Sequence, residues 1–330
     1  MGTPRHLEPV IETTALTKRY GEIAALTDLH LAVPEGSIYG FLGPNGAGKT
    51  TAIRLLMGFI RASSGSARIF GHDVWAEGVA ARRDLGFLVT PDAFYPDMTG
   101  IAQLDYLAHL SGKPPVLRDR LLDTLELGRD ALRRRLGSYS KGMRQKLALT
   151  AAFQHDPALL ILDEPTDGLD PLIQRGFEEL LRELRDRGRT IFMSSHDLAE
   201  VERTCERVAV VRAGRLVAEE TVEGLKRLQR RTVEVTFGGE APPDLALVPR
   251  VTIVSREGRR VRLAFEGDLN PLLRFLAGHD VADLVLAPPR LEDVFMAFYG
   301  DDRSGPGGAE GTPAVDPQDA VAASDLVMRR

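Results

Sequence analysis

Cysteine is almost missing from this chain. Cys205 is the only one, so neither an intramolecular disulfide nor a cysteine-based metal site can be built, and a reducing cytosol fits. Long apolar runs are missing too. The strongest, ALLIL at 158–162, suits a buried strand and falls far short of the ~20 residues that span a bilayer. The N-terminus, MGTPRHLEPV, has no apolar core of the signal-peptide type, and His6 stands where a myristoylation site wants Ser or Thr. Work at a membrane would therefore go through a partner. Nor is there an excess of positive charge. The net charge is -5, which argues against a nucleic-acid binder. No internal repeat and no Asn-Lys-x-Asp guanine motif occur.

The rest is ordinary for a globular protein, with 43% hydrophobic and 27% charged residues over 330 positions. That length supports one large domain and a smaller one. VIETTALTKRYG and IAALTDLHLAV read as strands, SIYGFLG (37–43) as a short apolar strand running into glycines, and TAIRLLMGFI (51–60) as a helix. Residues 97–155 are helix-rich. ALLILD (158–163), TIFMSS (190–195) and RVAVVRAG (207–214) read as strands, and FEELLRELRDRG (177–188) as an amphipathic helix ending at glycine. Strands alternating with helices imply a mainly parallel sheet. After residue 221 the texture changes. RTVEVTF, RVTIVS, RRVRLAFEG and VADLVLA read as strands, and NPLLRFLAGH and RLEDVFMAFYG as helices, a small α+β module. The tail from Gly300 is rich in Gly, Pro, Ala and Asp and is expected to be disordered.

The chemistry concentrates in a few stretches. GPNGAGKTT (Gly43, Pro44, Asn45, Gly46, Ala47, Gly48, Lys49, Thr50, Thr51) fits G-x-x-x-x-G-K-[ST] between a strand and a helix, the context that confirms such a match. Its glycines let backbone N–H groups wrap phosphates at a helix N-terminus. Lys49 would reach the β- and γ-phosphates and Thr50 would ligand Mg²⁺. LLILDEP (159–165) is a buried strand ending in two carboxylates. Beside a phosphate loop, Asp163 would hold Mg²⁺ through water and Glu164 would orient or deprotonate the attacking water. SYSKGMRQKLAL (138–149) suits a helix N-terminus presenting a hydroxyl and bare N–H groups; taken alone it is as readily an ordinary N-cap.

Phosphate loop, helical insert, S-x-G stretch, Asp-Glu strand, acidic loop and histidine, in that order, resemble the ATP-binding-cassette ATPases over roughly residues 10–220. The family's LSGGQ signature appears as YSKGM: Ser140 and Gly142 match, Lys141 and Met143 depart. The resemblance implies an α/β P-loop NTPase cassette with a helical subdomain and an antiparallel N-terminal subdomain. It makes Tyr20 the aromatic that stacks on adenine, Asp170 of DGLD the acidic residue of the loop crossing a dimer interface, and His196 the switch histidine at the γ-phosphate. It implies ATP and Mg²⁺, and a homodimer, or a heterodimer with a paralogue, closing around two ATP. Separate integral-membrane permease chains would be driven from the cytoplasmic face of the membrane, with no nucleic acid as partner.

One position departs. Where the family carries glutamine after the GFLV strand, this chain has Thr90, which reaches less far toward a metal or water. Intact Lys49, Thr50, Asp163, Glu164 and His196 favour an active ATPase; an ATP-binding switch with weak hydrolysis is the alternative. The ending RLEDVFMAFYG is similar to that of daunorubicin-exporter-like ATPases, which implies efflux of a drug, antibiotic, lipid or polysaccharide. A soluble cassette ATPase acting on DNA or ribosomes is the remaining reading. It lacks support in a chain with one cassette and no long coiled coil. The expected layout is an extension at 1–9, the ATPase domain at 10–220 with its helical part about 95–155, the accessory module at 221–299 and the tail at 300–330.

Overall fold

A computed structural model of the chain describes residues 9–90, 93–227, 231–265 and 269–286. It opens with β1 (Ile11–Tyr20) and β2 (Ile23–Val33), an antiparallel pair turning at Gly21, where φ is +56. β3 (Ile38–Leu42), buried at every position, leads into the glycine-rich loop and α1 (Lys49–Leu56). The helix expected over 51–60 starts two residues earlier and stops at Leu56, because Gly58 takes a left-handed φ of +66 just beyond the cap. Next come β4 (Ser64–Ile69), β5 (His72–Asp73), α2 (Gly78–Ala81) and β6 (Leu85–Phe87). The helix-rich stretch comprises α3 (Gly100–Ser111), α4 (Arg118–Thr124), α5 (Arg129–Leu132) and α6 (Lys141–Phe153).

Then follow β7 (Leu159–Asp163), α7 (Pro171–Asp186), β8 (Thr190–Ser195), α8 (Leu198–Thr204), β9 (Arg207–Arg212), β10 (Arg215–Thr221) and α9 (Val222–Arg227). α7 begins six residues before the apolar periodicity shows it. Asp170 caps it and Pro171 supplies a preset first turn.

The central sheet has six strands in the order β10-β9-β3-β8-β7-β6. All its pairings are parallel except β9 with β10. Period-two alternation decides its packing. On β7, Leu159 and Ile161 face one core with Phe41, Phe192 and α1, while Leu160 and Leu162 face the other with α6 and α7. A strand covered on both faces must be apolar throughout, which is why ALLIL reads as a continuous run. A second, antiparallel sheet, β2-β1-β4-β5, shares the first of these cores.

The C-terminal module has its own sheet and core. β11 (Arg231–Phe237), β12 (Val251–Glu257), β13 (Arg260–Phe265), α10 (Asn270–Ala277) and β14 (Val281–Leu286) give the antiparallel order β12-β13-β11-β14. Val233, Val235, Val261, Leu263 and Phe265 pack under Leu272 and Leu276 of α10. The helix expected at RLEDVFMAFYG and the tail at 300–330 lie outside the described residues. Among the described residues no helix is long and apolar enough to cross a membrane.

Candidate functional site

Three neighbouring strands deliver the site at their carboxyl ends, where open α/β sheets place ligands. The parallel register sets Leu42 beside Ser195 and Asp163 beside Ser194. The glycine-rich loop, the two carboxylates and the histidine loop therefore leave the sheet side by side. Parallel pairing makes this possible, because strands distant in sequence then end at the same edge.

The loop wraps a cavity of about 240 Å³ lined by Ala25, Pro44, Asn45, Gly46, Gly48, Lys49, Thr50, Thr51 and Glu164. Two glycines are required by contact. A Cβ on Gly43 would come within 2.4 Å of the Val211 carbonyl oxygen, and one on Gly48, at φ +105, within 2.6 Å of that of Ala25. Both approaches are to backbone, which cannot swing aside. Lys49 is 6% exposed, yet its ammonium is satisfied. Nζ donates to the carbonyls of Gly43 at 2.6 Å and Pro44 at 3.4 Å and lies 3.1 Å from Oε1 of Glu164.

Glu164 is held from both sides. Its second oxygen, Oε2, is 2.7 Å from Nδ1 of His196, and its own backbone N–H donates to Ser194 Oγ at 3.0 Å. The residue sits at φ +49, a left-handed conformation that costs a side-chain-bearing residue of order 1–3 kcal/mol and persists only where its surroundings enforce it. The same Ser194 hydroxyl donates to Oδ1 of Asp163 at 2.5 Å. One serine thus fixes a carboxylate and the backbone of its neighbour.

Donor chemistry at the site suits a nucleotide with a hard divalent cation. A buried ammonium already on oxygen acceptors, glycines that leave room along the loop, the Thr50 hydroxyl in the lining and the Asp163 carboxylate at a strand end are all oxygen-and-phosphate chemistry. Among the described residues no group of three or more His, Cys, Asp or Glu gathers to cage a metal unaided. A cation here would be held by one carboxylate, a hydroxyl and the phosphates of the substrate.

Other expected site residues stand elsewhere. Gly43 and Ala47 shape the loop without lining the cavity; Ala47 N–H donates to the Pro44 carbonyl at 3.1 Å. Tyr20 is exposed at the end of β1, with Nζ of Lys18 4.9 Å from its ring centroid, and is not part of the lining. Ser140 caps α6, its Oγ accepting the Met143 N–H at 3.2 Å, and a Cβ on Gly142 would meet the Gly168 carbonyl oxygen at 3.0 Å. Asp170 caps α7 by accepting the Ile173 N–H at 3.1 Å. Thr90 is exposed, its carbonyl accepts from Ala93 N–H at 2.9 Å, and it does not line the cavity either. Asp92, two residues on and the nearest carboxylate in sequence that could stand in for the missing glutamine, lies outside the described residues.

Several participants are invisible to sequence reading. Ser194 and Ser195 read only as the end of a strand, and Glu200 falls between two predicted strands in a stretch given no element. Gln145 lies in a stretch read as a helix start and Gln174 ahead of the helix read from Phe177, yet Gln145 Nε2 donates to the Pro165 carbonyl at 2.9 Å and Gln174 Nε2 to those of Leu169 at 3.1 Å and Thr166 at 3.4 Å. Two serines directly before the histidine were the one available signal.

A family model described as ABC transporter matches residues 26–167. The bacitracin transport ATP-binding protein BcrA of Bacillus licheniformis is 35% identical over 304 residues, covering 89% of this chain and 98% of that protein. The daunorubicin resistance ATP-binding protein DrrA3 of Streptomyces coeruleorubidus is 35% identical over 309 residues, covering 90% and 98%. Among solved structures, an ATP binding subunit of an ABC transporter matches with TM-score 0.61 and 30% identity over 66% of this chain and 92% of that one. The cassette MJ0796, in a dimeric post-hydrolysis state with ADP and Pi, matches with TM-score 0.59 and 22% identity over 64% and 98%, a likeness of fold.

Proposed function

The chain belongs to the ABC transporter family of ATP-binding proteins, and from that premise we propose that it is the ATP-hydrolysing subunit of an exporter whose membrane-spanning permease is a separate chain. The observation that carries the catalytic reading is the convergence of Lys49 and His196 on the two oxygens of Glu164, at 3.1 and 2.7 Å, at the edge of the glycine-loop cavity. Relatives named for bacitracin transport and daunorubicin resistance support efflux of an antibiotic-like compound, with lipid or polysaccharide cargo the wider class.

In this reading the loop amides and Lys49 bind the phosphates of ATP, whose oxygens replace the carbonyl and carboxylate acceptors that Lys49 now has. Glu164 orients the attacking water and takes its proton as the β–γ bridging bond breaks. His196 holds Glu164 and meets the γ-phosphate. Thr50 and Asp163 would hold Mg²⁺, which when bound neutralises phosphate charge. The exposed α6 N-terminus, with Ser140 and Gly142, and the Asp170 loop are left to act on ATP held by a second copy or a paralogue. Association with the membrane comes through the permease, on its cytoplasmic side.

Steady-state Mg²⁺-ATP hydrolysis by the purified chain over a range of protein concentrations, beside Glu164→Gln, tests this. Turnover per molecule that rises with concentration and disappears in the variant is expected. Turnover that persists in Glu164→Gln would show that Glu164 is not the base.

A further inference from the structure

We infer that Glu200 is a positioning residue for ATP hydrolysis, a buried carboxylate that clamps the loop following Glu164 to the strand end preceding His196. The inference rests on the ATPase reading of this site. Glu200 stands in the first turn of α8 and is 3% exposed. Its Oε2 accepts from the Ser195 hydroxyl at 2.5 Å and its Oε1 from the Thr166 hydroxyl at 2.7 Å. Ser195 immediately precedes the histidine, and Thr166 lies two residues after the general base. One carboxylate therefore bridges the two segments whose side chains must meet, by a route separate from the direct His196–Glu164 contact.

The clamped loop has few other anchors. Its left-handed start at Glu164 needs enforcement, and the two glutamine amides hold only its carbonyls. Beyond Glu164 itself, whose backbone N–H and carboxylate reach Ser194 and His196, the Thr166 hydroxyl to Glu200 ties this loop to the histidine segment rather than to α6 or α7. Hydrogen bonds to a carboxylate are short and about twice as strong as neutral ones, so the clamp is stiff. A burial site filled for stability alone would favour an apolar side chain, since an ionisable group pays for leaving water. Burial does push the Glu200 carboxyl above the ordinary glutamate range, opposed in part by the hydroxyls of Ser195 and Thr166, while the charges of Asp197 and Glu164 push the same way as burial.

The test uses the full chain as wild type, Glu200→Ala and Glu200→Gln. Amide hydrogen exchange at residues 164–170 and 195–198 needs no turnover. It should accelerate in Glu200→Ala on the order of tenfold, with β3 and β7 unchanged, and return toward wild type in Glu200→Gln, whose amide still spans the two hydroxyls. In Mg²⁺-ATP hydrolysis the alanine variant should lose roughly 10- to 100-fold in kcat with KM within about twofold, as misplacement of a catalytic group does, and glutamine should recover most of it. Wild-type loop exchange in Glu200→Ala would overturn the clamp. So would a loss in which KM and thermal midpoint move together and glutamine rescues nothing.

Should Glu200→Ala fail to fold, Thr166→Val and Ser195→Ala carry the same test. Each should lower kcat and speed exchange at 164–170 and 195–198, and the two together should be no worse than the stronger single variant; additive effects overturn the inference. Absence of hydrolysis in the wild type would count against the ATPase reading, while the exchange measurement still decides the clamp.

Discussion

The two regions that the proposed ATPase reading assigns to nucleotide are built in opposite ways. Around Glu164 everything is closed within the chain. Lys49 is buried, Glu164 is gripped by Lys49, His196 and Ser194, and Asp163 by Ser194. Around Ser140 everything is open. The α6 N-terminus offers a capping serine and an ion pair between Lys141, 72% exposed, and Asp167, and it does not line the cavity. A region closed within its own chain beside one that touches only the Asp167–Gly168 loop and otherwise stays at the surface is what the proposed composite site would look like from one side. The first half is preorganised because its strands end together in one sheet. The second is a surface, and its worth is decided by what docks on it.

That contrast can be broken by substitution. The largest effect belongs to the closed half: Glu164→Gln should cut kcat by on the order of 10²–10⁴-fold while ATP still binds, read by phosphate release beside equilibrium nucleotide binding. Gly142→Ala probes the open half. The added methyl meets the Gly168 carbonyl at 3.0 Å and displaces the loop that leads to Asp170. Turnover should fall roughly tenfold while ATP affinity of the dilute chain stays within about twofold, a split measured by comparing kcat with monomer binding. Equal loss of binding and turnover would mean that the two halves are not separate.

Thr90→Gln sharpens the comparison from a third side. Thr90 is exposed and away from the cavity lining, so restoring the family's glutamine should change kcat of the isolated chain by no more than about threefold, seen in the same phosphate-release assay.

A pH effect separates Glu200 from its neighbours. With its carboxyl raised by burial, the folded state holds that proton more tightly than the unfolded chain. The contribution is fully present below the unfolded value of about 4.3 and is lost as pH rises from there through the folded value. Melting curves should show wild type losing more stability than Glu200→Gln over that window, with the two running parallel above it. The smallest effect is Lys141→Ala. Its exposed pair with Asp167 is worth about 0–1 kcal/mol, so the denaturation midpoint should barely move, and what difference there is should shrink as salt is added.

Much of the fold was legible because its signals are local. Continuous apolar runs announced β3, β7 and β8, and the strands of the C-terminal module showed their alternation; β11, β13 and α10 close a core of their own. Boundaries were legible only where a residue enforces them. Gly58 ended α1 earlier than the apolar pattern implied, and Asp170 with Pro171 started α7 ahead of it. In the candidate site, Lys49, Thr50, Asp163 and Glu164 were singled out by motifs that name residue types at fixed spacing, and His196 by the family resemblance. Ser194, Ser195, Gln145, Gln174 and Glu200 belong to no such pattern, because their roles are contacts between segments far apart in the chain.

By itself, the sequence determined the class of chemistry: a glycine-rich loop ending in lysine and threonine, and a buried strand ending in two carboxylates, suit phosphate and hard-cation chemistry wherever they lie. It also determined the alternation of strands and helices that makes a parallel sheet. Tertiary structure alone decided that Leu42 meets Ser195 and Asp163 meets Ser194, and so that two adjacent serines divide their hydroxyls between Asp163 and Glu200. Strand register comes from packing on both faces of the sheet, a sum over many distant side chains, and no local spacing in the chain encodes it.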